Sequence, residues 1–332
     1  MNWEERARRT GAYICETQLG TGAIPWFAGD KTDPWNHVES AMGLSIAGLH
    51  EEAERAYAWL ASNQLDNGAW FAAYDDSGKA LTNRIESNFV GYIATGVWHH
   101  YLVTGNRAFL GDYWPTVRDA IDYVCDLQAP TGEIYWAEDL GEGISRDALV
   151  TGCSSIFRSI EAARDIAEVL GEPKGRWPEV QAALGETLRN RPERFDRTWE
   201  SKSRFAMDWF YPVMCGAFDR KHGLERLRER HDEFVHPELG CRCVVEEPWV
   251  TIAETSELVM AYAAVGEHDI ARALFENLST FQAENGAWWT GYQFAERVLW
   301  PDERPTWTAA AVLLAMDAVH GCTPAHRLFS IT

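Results

Sequence analysis

Apolar residues recur along this chain with the spacing of an α-helix, and that spacing continues from one end to the other. Segments with a single apolar stripe alternate with segments that are apolar on nearly every side. The stripe is typical of a helix at a domain surface, and the fully apolar pattern is typical of a helix in an interior. Runs with the strict alternation of a half-buried strand are scarce. The pattern therefore predicts an all-α protein.

The sequence divides into twelve helical segments, six of each kind. The amphipathic segments are predicted at about 3–19, 51–65, 106–128, 176–195, 221–234 and 268–282. The apolar segments are predicted at about 35–49, 88–105, 148–167, 205–218, 250–266 and 306–321. This alternation is expected of an (α/α)6 toroid, in which six outer helices surround six inner helices. No Pro-, Gly- or Ser-rich linker supports the alternative of two separate bundles, so residues 1–332 are predicted to form one domain.

Four copies of a short motif follow the amphipathic segments. Each copy is a Gln, then a Gly four residues later, then a Trp shortly after the Gly. The copies begin at Gln18, Gln64, Gln128 and Gln282, and their tryptophans are Trp26, Trp70, Trp136 and Trp288. A motif that recurs in this way indicates that the chain repeats one structural unit. Here the unit is a helical hairpin.

The connections between predicted helices are unequal in length. Those from an inner to an outer helix are short, whereas those from an outer to an inner helix are long. The long ones cover about 20–33, 66–87, 130–147, 195–205, 235–251 and 285–306. Long loops gathered at one end of a scaffold usually carry its function. We therefore expect the site at the end where the inner helices begin.

Tryptophan is abundant, with 16 residues in 332, and much of it falls in or near these loops. Indole rings suit the apolar faces of sugar rings, whose hydroxyl groups can bond to carboxylates and amides. The predicted substrate-binding residues are Trp26, Trp35, Trp70, Trp136, Trp209, Trp288 and Trp289, together with Glu257 and His37. The alternative is that the indoles close the loops over the helices as apolar plugs.

Hydrolysis of a glycosidic bond generally needs two carboxyl groups, one protonated and one ionised. Glu39, Asp208 and Glu254 lie inside apolar segments, where a charge is costly unless it is paired or its pKa is raised. Asp33 directly precedes the first inner helix. These four residues are the predicted catalytic groups, and Glu254 is expected to act with one of the other three. The alternative is a structural role, which for Asp33 is an N-cap.

Charge and cysteine content narrow the class of protein. A net charge of −20 argues against binding to nucleic acid, and no apolar run is long enough to span a membrane. The seven cysteines are scattered and the N-terminus does not resemble a secretory signal, which favours the cytoplasm. Cys241 and Cys243 lack the further ligands of a zinc site, so no metal or cofactor is expected. The oligomeric state is left open.

The repeated motif resembles that of terpene cyclases and prenyltransferases, which implies a polyprenyl substrate as one alternative. The segment 300–311 resembles the closing hairpin of glucoamylase-like enzymes. As a whole, the chain resembles (α/α)6 glycoside hydrolases, and among them the mycobacterial methylmannose polysaccharide hydrolases, which are α-endomannosidases. This resemblance implies endo hydrolysis of a partly O-methylated α-(1→4)-mannan, for which we expect an inverting mechanism. The other alternative is a non-catalytic carbohydrate-binding toroid or a sugar epimerase, and an epimerase would place His37, His99 and His100 near the axis.

Overall fold

The computed structural model describes residues 2–331, so Met1 and Thr332 of the predicted domain lie outside the described residues. Six helices form an inner ring: α2 (Pro34–Ile46), α4 (Ser87–Thr104), α6 (Val150–Leu170), α8 (Ala206–Met214), α10 (Ile252–Ala264) and α12 (Thr306–His320). Six helices surround them: α1 (Trp3–Thr17), α3 (His50–Asn63), α5 (Arg107–Asp126), α7 (Trp177–Asn190), α9 (Arg220–Phe234) and α11 (His268–Asn277). Each inner helix packs against the next, and α12 packs against α2. The ring is closed, and the predicted toroid is confirmed.

The inner helices pack closely because small residues lie at their contacts. A side chain at Gly43 of α2 would bring its Cβ to 2.8 Å from the Cβ of Ala310 in α12. Ala310 belongs to the alanine-rich first half of α12, where every residue except Trp307 is buried. Closely packed interiors tolerate little added volume. The apolar pattern on every side of these segments therefore reflects contacts with both ring neighbours and with the outer helices.

The repeated motif joins neighbouring outer helices. The side-chain amide of Gln64 donates to the carbonyl of Gly68 at 2.8 Å and to that of Thr116, in α5, at 2.9 Å. Gly68 has φ +87°, and a Cβ there would lie 2.3 Å from the carbonyl oxygen of Asp119 in α5. Only glycine fits a left-handed position so close to another backbone. The other three copies repeat this pattern, at Gln18 with Glu52, Gln128 with Val180, and Gln282 with Arg6.

The long loops contain short antiparallel strands that the sequence pattern did not predict. The first sheet, called the β1–β3 sheet below, consists of β1 (Arg84–Glu86), β2 (Ala137–Asp139) and β3 (Gly143–Ser145). Strands β4 (Val235–His236) and β5 (Gly240–Cys241) form a two-stranded sheet. The third, called the β6–β8 sheet, consists of β6 (Trp249–Thr251), β7 (Gly291–Gln293) and β8 (Val298–Leu299).

The two larger sheets stand on opposite sides of the ring. Strand β1 leads directly into α4, and β6 leads directly into α10. In the ring order α2, α4, α6, α8, α10, α12, these two helices face each other across the axis. We call the end of the ring where the inner helices begin the mouth. The β1–β3 and β6–β8 sheets flank it.

Two further features bear on expectations from the sequence: the hydropathy of the helices and the state of the cysteines. Within residues 2–331, none of the helices is both long and apolar enough to cross a lipid bilayer. All seven cysteines have free thiols.

Candidate functional site at the mouth of the ring

A cleft of about 310 Å³ opens at the mouth, where α6, α8 and α10 begin. Asp208, from the first turn of α8, and Glu254, from the first turn of α10, both line it. Phe205 and Met207 add apolar surface, and Lys202 adds a positive charge. Two of the four predicted catalytic carboxyl groups therefore face one shared space.

The two carboxyl groups of the cleft have different surroundings. Burial raises the pKa of Asp208 to about 6, and the charge of Asp196 adds to this rise, while Arg226 and Arg230 oppose it. Glu254 is partly exposed. Burial, followed by the charge of Glu254 and a hydrogen bond to it, raises the pKa of the neighbouring Cys243 thiol. That thiol is therefore a neutral hydrogen-bonding group beside Glu254.

Asp33 is buried and caps the N-terminus of α2. Its carboxylate accepts hydrogen bonds from the backbone N–H of Asn36 at 2.9 Å, from the side-chain amide of Asn36 at 2.7 Å, and from the indole N–H of Trp26. Burial raises the pKa of Asp33, and these hydrogen bonds oppose the rise. The structural role expected for an Asp at this position is thus present, and the capping carboxylate also fixes the position of Trp26.

Glu39 and Glu257 lie deeper, at 2% and 6% exposure. Burial raises the pKa of Glu39 to about 8, with a further contribution from Asp33. Burial also raises the pKa of Glu257 well above its ordinary value, and the charges of Glu39 and Glu254 add to this. Burial therefore favours the protonated form of both groups. Through Glu39 and Glu257, the carboxyl groups of α2 and α10 form one electrostatically connected series.

The axis of the ring is filled below the mouth by aromatic side chains. Trp35 of α2 stacks on Tyr92 of α4 with 5.0 Å between ring centroids, and lies 6.0 Å from Tyr211 of α8. The indole N–H of Trp35 donates to Glu39 at 3.3 Å. Because α2 and α8 are opposite helices, these contacts span the axis. The mouth therefore has an aromatic floor, of which Trp35 is part.

Three of the predicted tryptophans lie at the mouth and are partly exposed. Each has a cation near its ring, at 4.2–5.0 Å from the centroid: Lys31 at Trp26, Arg84 at Trp136 and Arg304 at Trp289. A cation over an aromatic face contributes roughly 0.5–1 kcal/mol at an exposed site. These contacts hold the indoles in place and leave part of each ring accessible.

The structure corrects the list of substrate-binding residues at three other tryptophans. Trp70, Trp209 and Trp288 are 0–2% exposed, so they have no surface for a substrate. Their indole N–H groups donate to the carbonyl of Leu60, the carbonyl of Arg226 and the hydroxyl of Thr10, respectively. They are core residues, as the apolar-plug alternative proposed.

His37 is also a structural residue. It is fully buried, its Nδ1 accepts from the backbone N–H of Ile24 at 3.0 Å, and its Nε2 lies 2.9 Å from the carbonyl of Ala56, to which it donates. Burial lowers the pKa of His37 to about 4. A neutral imidazole with both nitrogens bonded has no capacity left for a substrate, which corrects the prediction for this residue.

The histidine arrangement expected of an epimerase is not formed. His99 lines a different cavity, of about 580 Å³, at the end of the ring opposite the mouth, together with Arg220, Asp317 and His320. His100 hydrogen-bonds to Ser45 at 2.9 Å. None of the predicted catalytic or substrate-binding residues of the hydrolase lines this second cavity. Across residues 2–331, no group of three His, Cys, Asp or Glu side chains is placed to hold a metal ion.

One further carboxyl group lies at the mouth, outside the predicted set. Glu86 ends β1 and immediately precedes α4, and it is partly exposed. Burial raises its pKa to about 7, and the charge of Asp33 adds to this, while Arg84 and Lys31 oppose it. Its position directly before an inner helix was the available signal. Asp33 and Glu86 form a second pair of interacting carboxyl groups at the mouth.

Comparison with known proteins gives consistent findings. No protein-family model matches the chain. The MMP endo-(1,4)-3-O-methyl-alpha-D-mannosidase of Mycolicibacterium hassiacum is 43% identical over 325 residues, which cover 98% of this chain and 89% of that protein. Among solved structures, a glycosidase in complex with glucose matches with a TM-score of 0.74 at 15% identity, over 96% of this chain and 97% of that one. A D-mannose isomerase matches with a TM-score of 0.74 at 11% identity, over 95% and 96% of the two chains. At these identities the two structural matches show the fold alone.

Proposed function

The chain belongs to the family of glycoside hydrolases that includes the Mycolicibacterium hassiacum endomannosidase, and we propose that it cleaves internal α-(1,4) bonds of a 3-O-methylated mannan. The support for this substrate is the name of a relative that matches nearly the whole chain. None of the comparisons above supports a polyprenyl substrate. The seven free thiols fit a reducing compartment, and we propose a cytoplasmic location.

The observation that carries the proposal is the shared cleft of Asp208 and Glu254. Asp208, whose pKa is raised to about 6, is the proposed general acid that protonates the leaving glycosidic oxygen. Glu254 is the proposed general base that takes a proton from the attacking water. Inversion at the anomeric carbon follows from these roles, because water attacks the face of the sugar opposite the departing group.

The remaining carboxyl groups have proposed roles around this pair. Asp33 and Glu39 stay predicted catalytic residues, as alternative partners of Glu254 on the α2 side of the mouth. Glu257 is buried one turn after Glu254, and burial raises its pKa well above the ordinary value; it is proposed to donate a hydrogen bond within the series and to limit the charge near the cleft. These roles differ in one measurable respect. Loss of a partner in catalysis lowers kcat, whereas loss of a supporting group chiefly changes stability.

The substrate is proposed to lie between the two sheets, over the aromatic floor. Trp26, Trp136 and Trp289 are the proposed stacking surfaces, since each is at the mouth and keeps part of its ring accessible. The β1–β3 and β6–β8 sheets flank the site on two opposite sides, so a polymer can extend past them in both directions. This arrangement supports cleavage at an internal bond of the polymer. Endo action predicts that the first products are oligosaccharides rather than single sugars.

The test is hydrolysis of 3-O-methylated and unmethylated α-(1,4)-mannooligosaccharides, followed by chromatography and by NMR of the first-formed anomer. Asp208→Asn and Glu254→Gln should each lower kcat by roughly 10²–10⁴, the usual contribution of general acid–base catalysis. Glu247→Gln, an exposed neighbour, is the matched control. Wild-type protein that leaves every α-mannan intact would overturn the proposed substrate. Full activity of both cleft variants would overturn the proposed pair.

A further inference from the structure

Exposed apolar side chains are concentrated beside the mouth. Among residues 2–331, the large apolar side chains that are strongly exposed all lie on the β1–β3 and β6–β8 sheets or directly next to them: Leu81, Leu140, Ile144, Val298, Leu299 and Trp300. Single exposed apolar residues scattered over a surface need no explanation, but a concentration at one end marks an interaction site. Which of these side chains can contact a substrate depends on the face of the sheet on which each one lies.

In the β6–β8 sheet, the register separates a face that packs on the outer ring from the opposite face, which we infer is turned toward the mouth. Tyr292 packs against Phe281 with 5.9 Å between ring centroids, just after the outer helix α11, and Leu299 is its cross-strand partner. Directly paired residues share a face, and successive residues alternate. Tyr292 and Leu299 are therefore turned to the outer ring. Trp249 and Val298, both partners of Gln293, lie on the other face.

Trp300 belongs to the same mouth-facing surface. Its backbone N–H donates to the carbonyl of Gly291 at 3.0 Å, so Trp300 lies beside Gly291 in the sheet. Gly291 in turn pairs with Thr251, the N-cap of α10. The rings of Trp249 and Trp300 are 5.2 Å apart at 72°, and the indole N–H of Trp249 donates to the carbonyl of Trp300 at 2.9 Å. Trp300 is 54% exposed and Val298 44%. Together Trp249, Val298 and Trp300 form a fixed apolar surface, which we call the apolar wall.

Trp249 is held flat against the sheet by a glycine. A Cβ at Gly291 would lie 2.3 Å from the indole nitrogen of Trp249, so the ring covers the Gly291 backbone where a side chain would otherwise stand. An indole held by a backbone contact and a hydrogen bond loses little conformational freedom when a ligand binds. The apolar wall is therefore preorganised.

The opposite sheet presents polar groups to the mouth. Glu138 accepts a hydrogen bond from Tyr123 of the outer helix α5 at 2.8 Å, so its face is the outward one, and its partner Ile144 shares that face. Arg84 and Asp139, paired to each other at 3.2 Å, lie on the other face. The mouth is thus apolar on the α10 side and charged on the α4 side.

We propose that the apolar wall binds the O-methyl groups of the substrate, while the β1–β3 sheet binds free hydroxyl groups. This inference rests on the proposed function and assigns its methyl specificity to Trp249, Val298 and Trp300. A methyl ether cannot donate a hydrogen bond, so it gains little on a polar surface and gains free energy when it covers an apolar one. One well-covered methyl group corresponds to roughly a three- to tenfold gain in kcat/KM.

The experiment compares kcat/KM for 3-O-methylated and unmethylated α-(1,4)-mannooligosaccharides of equal length. Val298→Ser and Trp300→Ser should each lower the value for the methylated substrate by roughly three- to tenfold and leave the unmethylated one nearly unchanged. Leu299→Ser is the matched control, because Leu299 is adjacent on the chain, is 39% exposed and faces the outer ring. It should change neither value. Thermal unfolding of each variant verifies that it is folded.

The outcomes separate the two proposals. In one outcome the wild type cleaves both substrates, while Val298→Ser and Trp300→Ser leave the ratio of kcat/KM for the methylated and unmethylated substrates unchanged. That result overturns this inference and leaves the proposed function standing. An equal loss in the Leu299→Ser control overturns it as well. A dimer in sedimentation experiments that Val298→Ser abolishes would identify a second copy of the chain as the occupant of the apolar wall, and would also overturn it. Absence of hydrolysis by the wild type overturns the proposed function itself.

Discussion

Replacing Glu39 by Gln should stabilise the protein at neutral pH, although Glu39 is a predicted catalytic residue. The side chain is 2% exposed, and burial raises its pKa to about 8. Its hydrogen bond comes from the indole N–H of Trp35, at 3.3 Å. A Gln side chain has the same shape and can accept that bond with its amide oxygen. It carries no charge that folding must remove from water.

The size of the effect follows from the two pKa values. In the unfolded chain Glu39 ionises near pH 4.5, and in the folded protein near pH 8. Between these values the folded state holds the extra proton, so the free energy of unfolding falls by up to about 1.4 kcal/mol for each pH unit. The contribution of Glu39 is thus fully present below pH 4.5 and is lost as the pH rises toward 8. At pH 7 the loss is about 3 kcal/mol, which the Gln variant avoids.

Urea unfolding of wild type and Glu39→Gln at pH 4.5 and pH 7 measures this directly. The variant should be more stable by about 3 kcal/mol at pH 7 and by less than about 0.5 kcal/mol at pH 4.5. Glu142→Gln, at an exposed position, should show no such difference between the two pH values. A Glu39→Gln protein that unfolds at the same or lower urea concentration at pH 7 would refute the reasoning, because it would mean that Glu39 is ionised and stabilised in the fold. Unchanged kcat in the same variant would remove Glu39 from catalysis.

The other predictions concern the repeated motif and the proposed general acid. Gly68→Ala should lower the free energy of unfolding by about 2–4 kcal/mol in urea titrations, because the added Cβ meets the carbonyl of Asp119. Gly78→Ala is the control: Gly78 also has a positive φ, +81°, but no atom lies closer than 3.6 Å to the added Cβ, so the variant should lose only about 1 kcal/mol. Gln282→Ala should cost about 1–3 kcal/mol by the same measurement, since its amide bonds to Gly286 and to Arg6 of α1. In the wild type kcat/KM should fall as the pH rises above about 6, where Asp208 loses its proton, and this limb should be absent from the residual activity of Asp208→Asn.

The ring could be predicted from the sequence because its inner helices are buried on every side. Burial on every side favours apolar residues around the whole circumference of an inner helix, whereas an outer helix is apolar along one stripe only. This difference in pattern can be read from the sequence. Helix ends were less well predicted. The segment predicted to end at 282 leaves the α-helix after Asn277, because Leu278–Phe281 form a 3₁₀ turn. The strands were missed because two or three residues are too few to show a period of two.

The site was harder to predict because one residue type has two roles in the same motif. Trp70 and Trp288 follow the motif glycine by two residues and are fully buried. Trp26 and Trp136 follow it by four residues and reach the mouth, where each has a cation at its ring. The two additional residues place the indole beyond the contact between the motif glycine and the neighbouring outer helix, in the long loop. The spacing after the glycine was the signal, but only the fold shows what it means.

The site has more carboxyl groups than the reaction needs. Hydrolysis needs two, and the site has six: Asp33, Glu39, Glu86, Asp208, Glu254 and Glu257. Burial raises the pKa of Glu39 to about 8, that of Glu86 to about 7 and that of Asp208 to about 6, and it raises the pKa of Glu257 well above its ordinary value. Burial, and after it the repulsion between neighbouring carboxyl groups, thus favours protonated acids that can donate hydrogen bonds beside carboxylates that accept them. Neutral carboxylic acids and carboxylates together match a substrate that has hydroxyl and ether oxygens and no charge of its own. An anionic substrate would add to the repulsion that, after burial, raises these pKa values, whereas a neutral methylated sugar adds none.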